Sequence, residues 1–244
     1  MEEIKNIFNL SIVSRHEKYI GLPSMVGRKK ISFFNDIKLR VLSKLSSWQS
    51  KLFSCGGKEV LIKAIAQVVP AYAMSVFKVP LSICEDIQKA IARFWWGGSE
   101  KHKSIHWARW ERLCCAKKIW GLGFREFSSF NQALIAKQGW RVLQNPEILL
   151  SKILKARYFK HSTFMEAKLS SKPSFVWRSI VWGRQVLCKG SRWRIGDGEK
   201  VYIYKSNWIP KPETLKPSSP HTLLLCVVVA ELIRNHQWKE EVIA

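Results

Sequence analysis

Apolar residues recur at three- and four-residue spacing along much of the chain, a period that predicts helices. Phe34, Ile37, Val41, Leu45 and Trp48 form one such stripe, with Ser32 placed to open it as an N-cap. Cys55-Gly56-Gly57 reads as a break. A second helix is expected from Lys58 to about Phe77, mostly apolar, hence buried, and kinked or interrupted near Pro70. Ser82-x-x-Glu85 has the form of a capping box ahead of a third helix, with Ile83, Ile87, Ile91 and Phe94 on one face and Trp95-Trp96-Gly97-Gly98 at its end. An irregular stretch follows from His102 to Gly123. Ser129-x-x-Gln132 then opens a helix that runs to Gln144 and is stopped by Asn145-Pro146, and two more are expected at Ile148–Tyr158 and Phe175–Leu187.

After that the period changes to two. Trp193, Ile195, Val201 and Ile203 alternate with Arg192, Arg194, Tyr202 and Tyr204 around Gly196-Asp197-Gly198, which predicts a short β-hairpin over 191–209. Pro210, Pro212, Pro217 and Pro220 mark 210–244 as a linker and tail. No internal repeat of fixed period is present. The expected fold is mainly α: a helical bundle over 31–98, a second helical region over 99–190, then the hairpin.

Charge changes the picture. The 244 residues hold 41 Lys and Arg against 18 Asp and Glu, a formal net charge of +23. Such an excess calls for a polyanionic partner rather than a small acidic substrate. Gly27-Arg28-Lys29-Lys30 is a basic loop, and Arg40, Lys44 and Lys51 continue it beside the apolar stripe of the first helix, with Asp36 the only acid from Lys18 to Lys44. Eleven Lys and Arg lie between Ile148 and Gly196, among them Arg178, Arg184, Arg192 and Arg194, against Glu166 alone. Tyr158, Phe159, Trp177, Trp182 and Trp193 are interleaved with them. Cations neutralise phosphates and release counterions, while flat rings can stack on bases. The helical spacing of Trp177 and Val181 assigns most of these rings to the core instead.

The same composition argues against catalysis. Only Asp36, Asp86 and Asp197 supply aspartate, widely separated, and the glutamates are scattered. A two-metal phosphoryl-transfer site needs several carboxylates that converge. No catalytic residue, metal site or cofactor is therefore expected. His102, His106, Cys114 and Cys115 could be drawn as a zinc cluster, but adjacent cysteines hold one ion poorly. The cysteines form no C-x-x-C pair, so reduced thiols are expected. The acidic Met1-Glu2-Glu3 start is unlike a signal or transit peptide, and the longest apolar run, Leu223 to Ala230, is too short to span a bilayer. Neither a membrane nor a small-molecule partner is expected, and the basic runs are too short to fix nuclear residence.

Ordered motifs carry a resemblance. Tyr19-Ile20-Gly21-Leu22-Pro23 and Gly27-Arg28-Lys29-Lys30, then Gly57-Lys58-Glu59-Val60-Leu61-Ile62-Lys63, Phe94-Trp95-Trp96-Gly97, His106-Trp107 and Gly121-Leu122-Gly123-Phe124-Arg125 resemble segments of LINE-type (non-LTR) retrotransposon reverse transcriptases, especially the plant group. Phe130-Asn131-x-Ala133-Leu134, Lys155-Ala156-Arg157-Tyr158, Trp177-Arg178-Ser179-Ile180, Arg192-Trp193-Arg194-Ile195-Gly196 and Trp208-Ile209-Pro210 extend it over nearly the whole chain. Lys205-Ser206-Asn207 departs from the Asp-Pro common before that Trp.

The resemblance implies that 1–30 carries the end of a palm, with Tyr19, Gly21 and Leu22 in a primer-grip-like turn, and that 31–98 is thumb-like. It also implies that the catalytic aspartates of the palm lie upstream of this segment. The expected function is backbone binding of RNA or an RNA–DNA duplex through Arg28, Lys29, Lys30, Arg40, Lys44 and Lys51, with Arg178, Arg184, Arg192 and Arg194 second, and without polymerase activity. The alternatives are a remnant without biochemical role, a scaffold docking on an acidic protein, and an active RNA-directed DNA polymerase.

Overall fold

A computed structural model describes residues 18–19, 22–23, 30–49, 51–97, 104–210, 215–217, 227–234 and 237–238. Among them helix dominates, with eight α-helices and four strands of two residues each. The chain divides into two compact units, 1–185 and 186–244.

In the first unit the apolar stripes become the core. Helix α1 (Lys30–Gln49) buries Phe34, Ile37, Val41 and Leu45. It begins upstream of Ser32, which lies inside the first turn instead of capping it. Cys55–Leu61 is α2; the Ser54 hydroxyl accepts the Gly57 N–H at 3.2 Å, so Gly56 and Gly57 belong to the first turn and do not break the chain. The helix widens into a single π-type stretch, Ile62–Ala66, with the Gln67 N–H donating to Ile62 O at 2.9 Å. Pro70 then starts the short α3 (Ala71–Met74). Of the two expected outcomes near Pro70 the structure has the interruption, two helices with an irregular joint, because proline has no N–H to continue the ladder. The stretch is also only half-buried: Val60, Val68 and Tyr72 face outward while Ile62, Ala66 and Met74 are enclosed.

Helix α4 (Leu81–Trp95) places Ile83, Ile87, Ile91 and Phe94 in the core, packed on α1. Full burial of each contributes roughly 1.5–3 kcal/mol. No side-chain cap forms at its start, since Pro80 holds the cap position and Ser82 is already helical. Lys38 of α1 pairs with Asp86 of α4 at 3.0 Å. Gly97, at φ +78°, turns the chain out of the helix.

Helix α5 (Trp110–Cys114) and a 3-10 turn (Lys117–Ile119) lie within the stretch read as irregular. Helix α6 (Phe127–Gln144) starts two residues before Ser129, because the Glu126 carboxylate accepts the Ser128 and Ser129 amides at 2.8 and 2.6 Å. Burial raises the Glu126 pKa, but the hydroxyl and amide of Ser129 and the amide of Ser128 more than offset this and leave it below the ordinary value. Its end at Gln144 is as expected.

Asn131 sits fully buried on α6 and binds the loop after α3. Its amide donates to Met74 O at 2.6 Å and Phe77 O at 2.9 Å, and its oxygen accepts from Val79 N at 2.9 Å. Helices α7 (Leu149–Tyr158) and α8 (Phe175–Gly190) complete the order. Gly183 of α8 lets two backbones meet: a Cβ there would stand 2.7 Å from Ala136 N. One hydrophobic cluster runs from Phe34 to Phe127, across the boundary expected between 31–98 and 99–190.

In the second unit Val201, Ile203, Val229 and Leu232 form a small core. The expected hairpin over 191–209 does not form. Ile203 N donates to Val227 O at 3.1 Å and Val229 N to Val201 O at 2.7 Å, so the alternating segment pairs with residues of the tail. Gly198, at φ +79°, would bring a Cβ within 2.6 Å of Ala230 N, which fixes that approach. Two-residue strands β3 (Ile233–Arg234) and β4 (Gln237–Trp238) pair antiparallel. The stretch from 227 to 233 is therefore part of a fold, not a bare tail.

Candidate nucleic-acid interface

The first basic group rests on α1. Its 3.6-residue period that buries Val41 and Leu45 turns Arg40 and Lys44 outward; both are exposed, and neither has an ion pair among the described residues. Lys51, just past the helix end, is exposed as well. Lys38 on the same helix differs, held by Asp86. Lys30 is the first residue of α1, its side chain outside the described set, and Arg28 and Lys29 also lie outside the described residues. Of the primer-grip-like residues, Tyr19 and Leu22 are paired directly across the two-stranded β1 (Lys18–Tyr19) and β2 (Leu22–Pro23), while Gly21 lies outside the described residues.

Ten of the eleven cations between Ile148 and Gly196 are exposed. The exception is Arg184, whose guanidinium Nη1 donates to Phe164 O and Ala167 O, both at 2.7 Å. Its guanidinium also lies 5.9 Å from the Phe164 ring centroid. Arg184 therefore acts as a strut for the 164–167 turn. Arg178 is exposed on α8, and Arg192 and Arg194 are exposed in the second unit.

The interleaved rings serve the core, as their spacing suggested. Tyr158 and Trp177 stack with centroids 4.7 Å apart and planes 1° from parallel, and Phe159 covers Trp177 at 5.8 Å. Trp177 is completely buried. Trp182 is half-buried, with the Lys78 ammonium 4.7 Å above its ring. Only Trp193 of the set is exposed.

Sequence reasoning missed a third basic group. Lys58 and Lys63 of the α2 segment meet the end of α4 and the stretch after α5: Lys58 donates to Trp95 O at 3.3 Å, and Lys63 lies 5.9 Å from the Phe124 ring. Glu59 ties the α2 segment to the turn after α5, with Lys63 of its own segment and Lys117 of that turn each 2.7 Å from its Oε1. Those two ammonium groups, Lys117 first, hold its carboxyl below the usual glutamate range. The motifs Gly57–Lys63, Phe94–Gly97 and Gly121–Phe124 thus converge on one region. Their order in the sequence was visible; their convergence depends on long-range folding.

His106 stacks on Trp96 at 6.3 Å, and burial among Glu126, Glu111 and Cys115 pushes the Cys114 thiol up to about 12. His102 lies outside the described residues, and among the described residues no three His, Cys, Asp or Glu side chains come together as a metal site. Nor is any described helix long and apolar enough to cross a membrane.

The fold and this surface define a strongly basic, mainly helical protein. Two proteins of Arabidopsis thaliana are similar to it. "Uncharacterized mitochondrial protein AtMg00310" is 41% identical over 150 residues, which is 61% of this chain and 97% of that protein. "Putative ribonuclease H protein At1g65750" is 34% identical over 191 residues, covering 77% of this chain but 31% of the relative. The chain belongs to the family of the first, and spans about a third of the length of the second. No protein-family model matches it.

Proposed function

We propose that this chain is a reverse-transcriptase-like protein of LINE-type retrotransposon origin that binds the backbone of RNA or an RNA–DNA duplex and does not polymerise nucleotides. One observation carries the reading: Arg40 and Lys44 project together from the outer face of α1 without carboxylate partners among the described residues, in a chain of net charge +23. Unpaired cations on a rigid helix can neutralise successive phosphates and release counterions, a mode that reads no sequence. The ribonuclease H name of one relative points to the same class of polymer.

The acids of the chain support binding without turnover. Asp86 is paired with Lys38, and Glu59 is shared by Lys63 and Lys117. Asp36 and Asp197 stand apart in the sequence. The test combines an electrophoretic titration with an RNA–DNA duplex and a primer-extension assay in Mg²⁺ or Mn²⁺. Binding with no extension is the expected result. Extension that is lost on changing one carboxylate would overturn the non-catalytic reading, and absence of binding would overturn the rest.

A further inference from the structure

Trp107 and Trp120 are 79% and 88% exposed, on either side of α5 in the first unit. An indole is a large apolar surface that folding ordinarily encloses, and most other tryptophans of this unit are at least partly covered. Ile105 and Ile119 beside them are also exposed, at 70% and 56%. Four large apolar side chains of one segment are therefore left open, rather than one stray ring.

Trp120 is, in addition, held in a conformation that a side chain disfavours. Its φ is +65°, in the left-handed region. The residues around it enforce this. Trp120 N donates to Lys117 O, Gly121 N to Ala116 O and Gly123 N to Cys115 O, at 2.8 to 3.2 Å. Leu122 and Phe124 both donate to Leu113 O. Gly121 packs so tightly that a Cβ would meet Cys115 O at 1.9 Å. Such over-determination is what maintains a strained backbone, and strained residues concentrate where ligands are held.

The charge around these rings selects the ligand. Arg109, Arg112 and Lys118 are exposed without ion pairs among the described residues, and Lys117 is fixed at 2.7 Å on Glu59. Open indoles among cations are the pattern by which unpaired bases are stacked while their phosphates are neutralised. A duplex keeps its bases stacked on each other and cannot use the rings in this way.

We infer that the 104–124 segment is a stacking platform for single-stranded nucleic acid, with Trp107 and Trp120 receiving bases and Arg109, Arg112 and Lys118 facing the backbone. This rests on the nucleic-acid reading above and adds a preference for unpaired strands at a separate place from the α1 group.

The test measures affinity of the full chain for oligo(rU), oligo(dT) and an RNA–DNA duplex, with wild type and the double variant Trp107→Ala, Trp120→Gly. Glycine at 120 accepts the left-handed backbone, so that substitution removes the ring while relaxing the strain, and the melting temperature checks the fold. The double variant is expected to lose tenfold or more on at least one single strand, from about five- to a hundredfold per stacked base, and to keep its duplex affinity. Which oligonucleotide loses more tells RNA from DNA. Unchanged single-strand affinity, or an equal loss on the duplex, overturns the platform while leaving the backbone reading intact. Wild type that binds none of the three overturns both.

Discussion

The Glu59 carboxylate of α2 lies 2.7 Å from the Lys117 ammonium, so a helix near the start of the described core is tied to a turn 58 positions later. With Lys63 on the same oxygen, Glu59 is ionised more readily in the folded chain than in an open one. A depressed carboxylate pKa gives stability that is present above the unfolded value, near 4.5, and is lost as pH falls through the folded value. Urea midpoints should therefore drop as pH is lowered below about 4.5, and Glu59→Gln should be less stable at neutral pH with a shallower decline. Identical pH profiles for the two proteins would show that the tie contributes nothing.

Asn131 is the polar centre of the first unit. Replacing it with leucine leaves Val79 N–H and the Met74 and Phe77 carbonyls without their partner in a buried place. Each such group costs about 1–3 kcal/mol, so Asn131→Leu should lose several kcal/mol in chemical denaturation or fail to accumulate as folded protein. A loss near zero would mean that the loop finds other hydrogen-bond partners.

Two glycines should respond oppositely to alanine. At Gly183 the new Cβ would stand 2.7 Å from Ala136 N and Ile135 Cγ2, and Gly183→Ala is expected to destabilise by about 1–3 kcal/mol as α6 and α8 are forced apart. At Gly56, in the first turn of α2, nothing lies within 4 Å of a Cβ. Gly56→Ala should stabilise by roughly 0.4–1 kcal/mol through the unfolded chain. Thermal melts of the two variants give the sign directly.

Much of this architecture follows from spacing. The faces of α1 and α4 were legible because a stripe at three and four residues must face one way, and Phe34, Val41, Ile87 and Ile91 do so. Helix starts were legible at Ile148 and Phe175 but not where a serine suggested a cap. Ser32 and Ser82 have the residue type of a cap but lie inside helices, and Glu126 caps α6 with a carboxylate that competes with the more familiar Ser129. The hairpin failed for a different reason: Val201 and Ile203 show the right alternation, but period two does not say which strand is the partner, and theirs is residues 227–229.

The candidate site was legible in part. Exposure of Arg40, Lys44 and Arg178 follows from their helical phase. The capture of Arg184 by Phe164 and Ala167 does not, because those carbonyls belong to an irregular turn 17 to 20 residues upstream. Trp107 and Trp120 were hidden inside a stretch without any period at all.

These two kinds of arginine separate binding from folding. Arg184→Ala should lower the melting temperature, since two carbonyls lose their donor. Arg40→Glu should leave the melting temperature nearly unchanged and weaken binding to every duplex sequence alike. A stable Arg184→Ala protein with selectively weakened binding would reverse their roles.

The most direct measurement is the salt dependence of duplex affinity for the full chain and for the double variant Arg40→Glu, Lys44→Glu. A phosphate-held complex should weaken steeply, by roughly a thousandfold between about 50 and 200 mM salt if six cations engage, and the variant should have a slope smaller by about 2. Affinity that is flat with salt, or a slope that the two substitutions leave unchanged, would contradict a cationic grip on the nucleic-acid backbone.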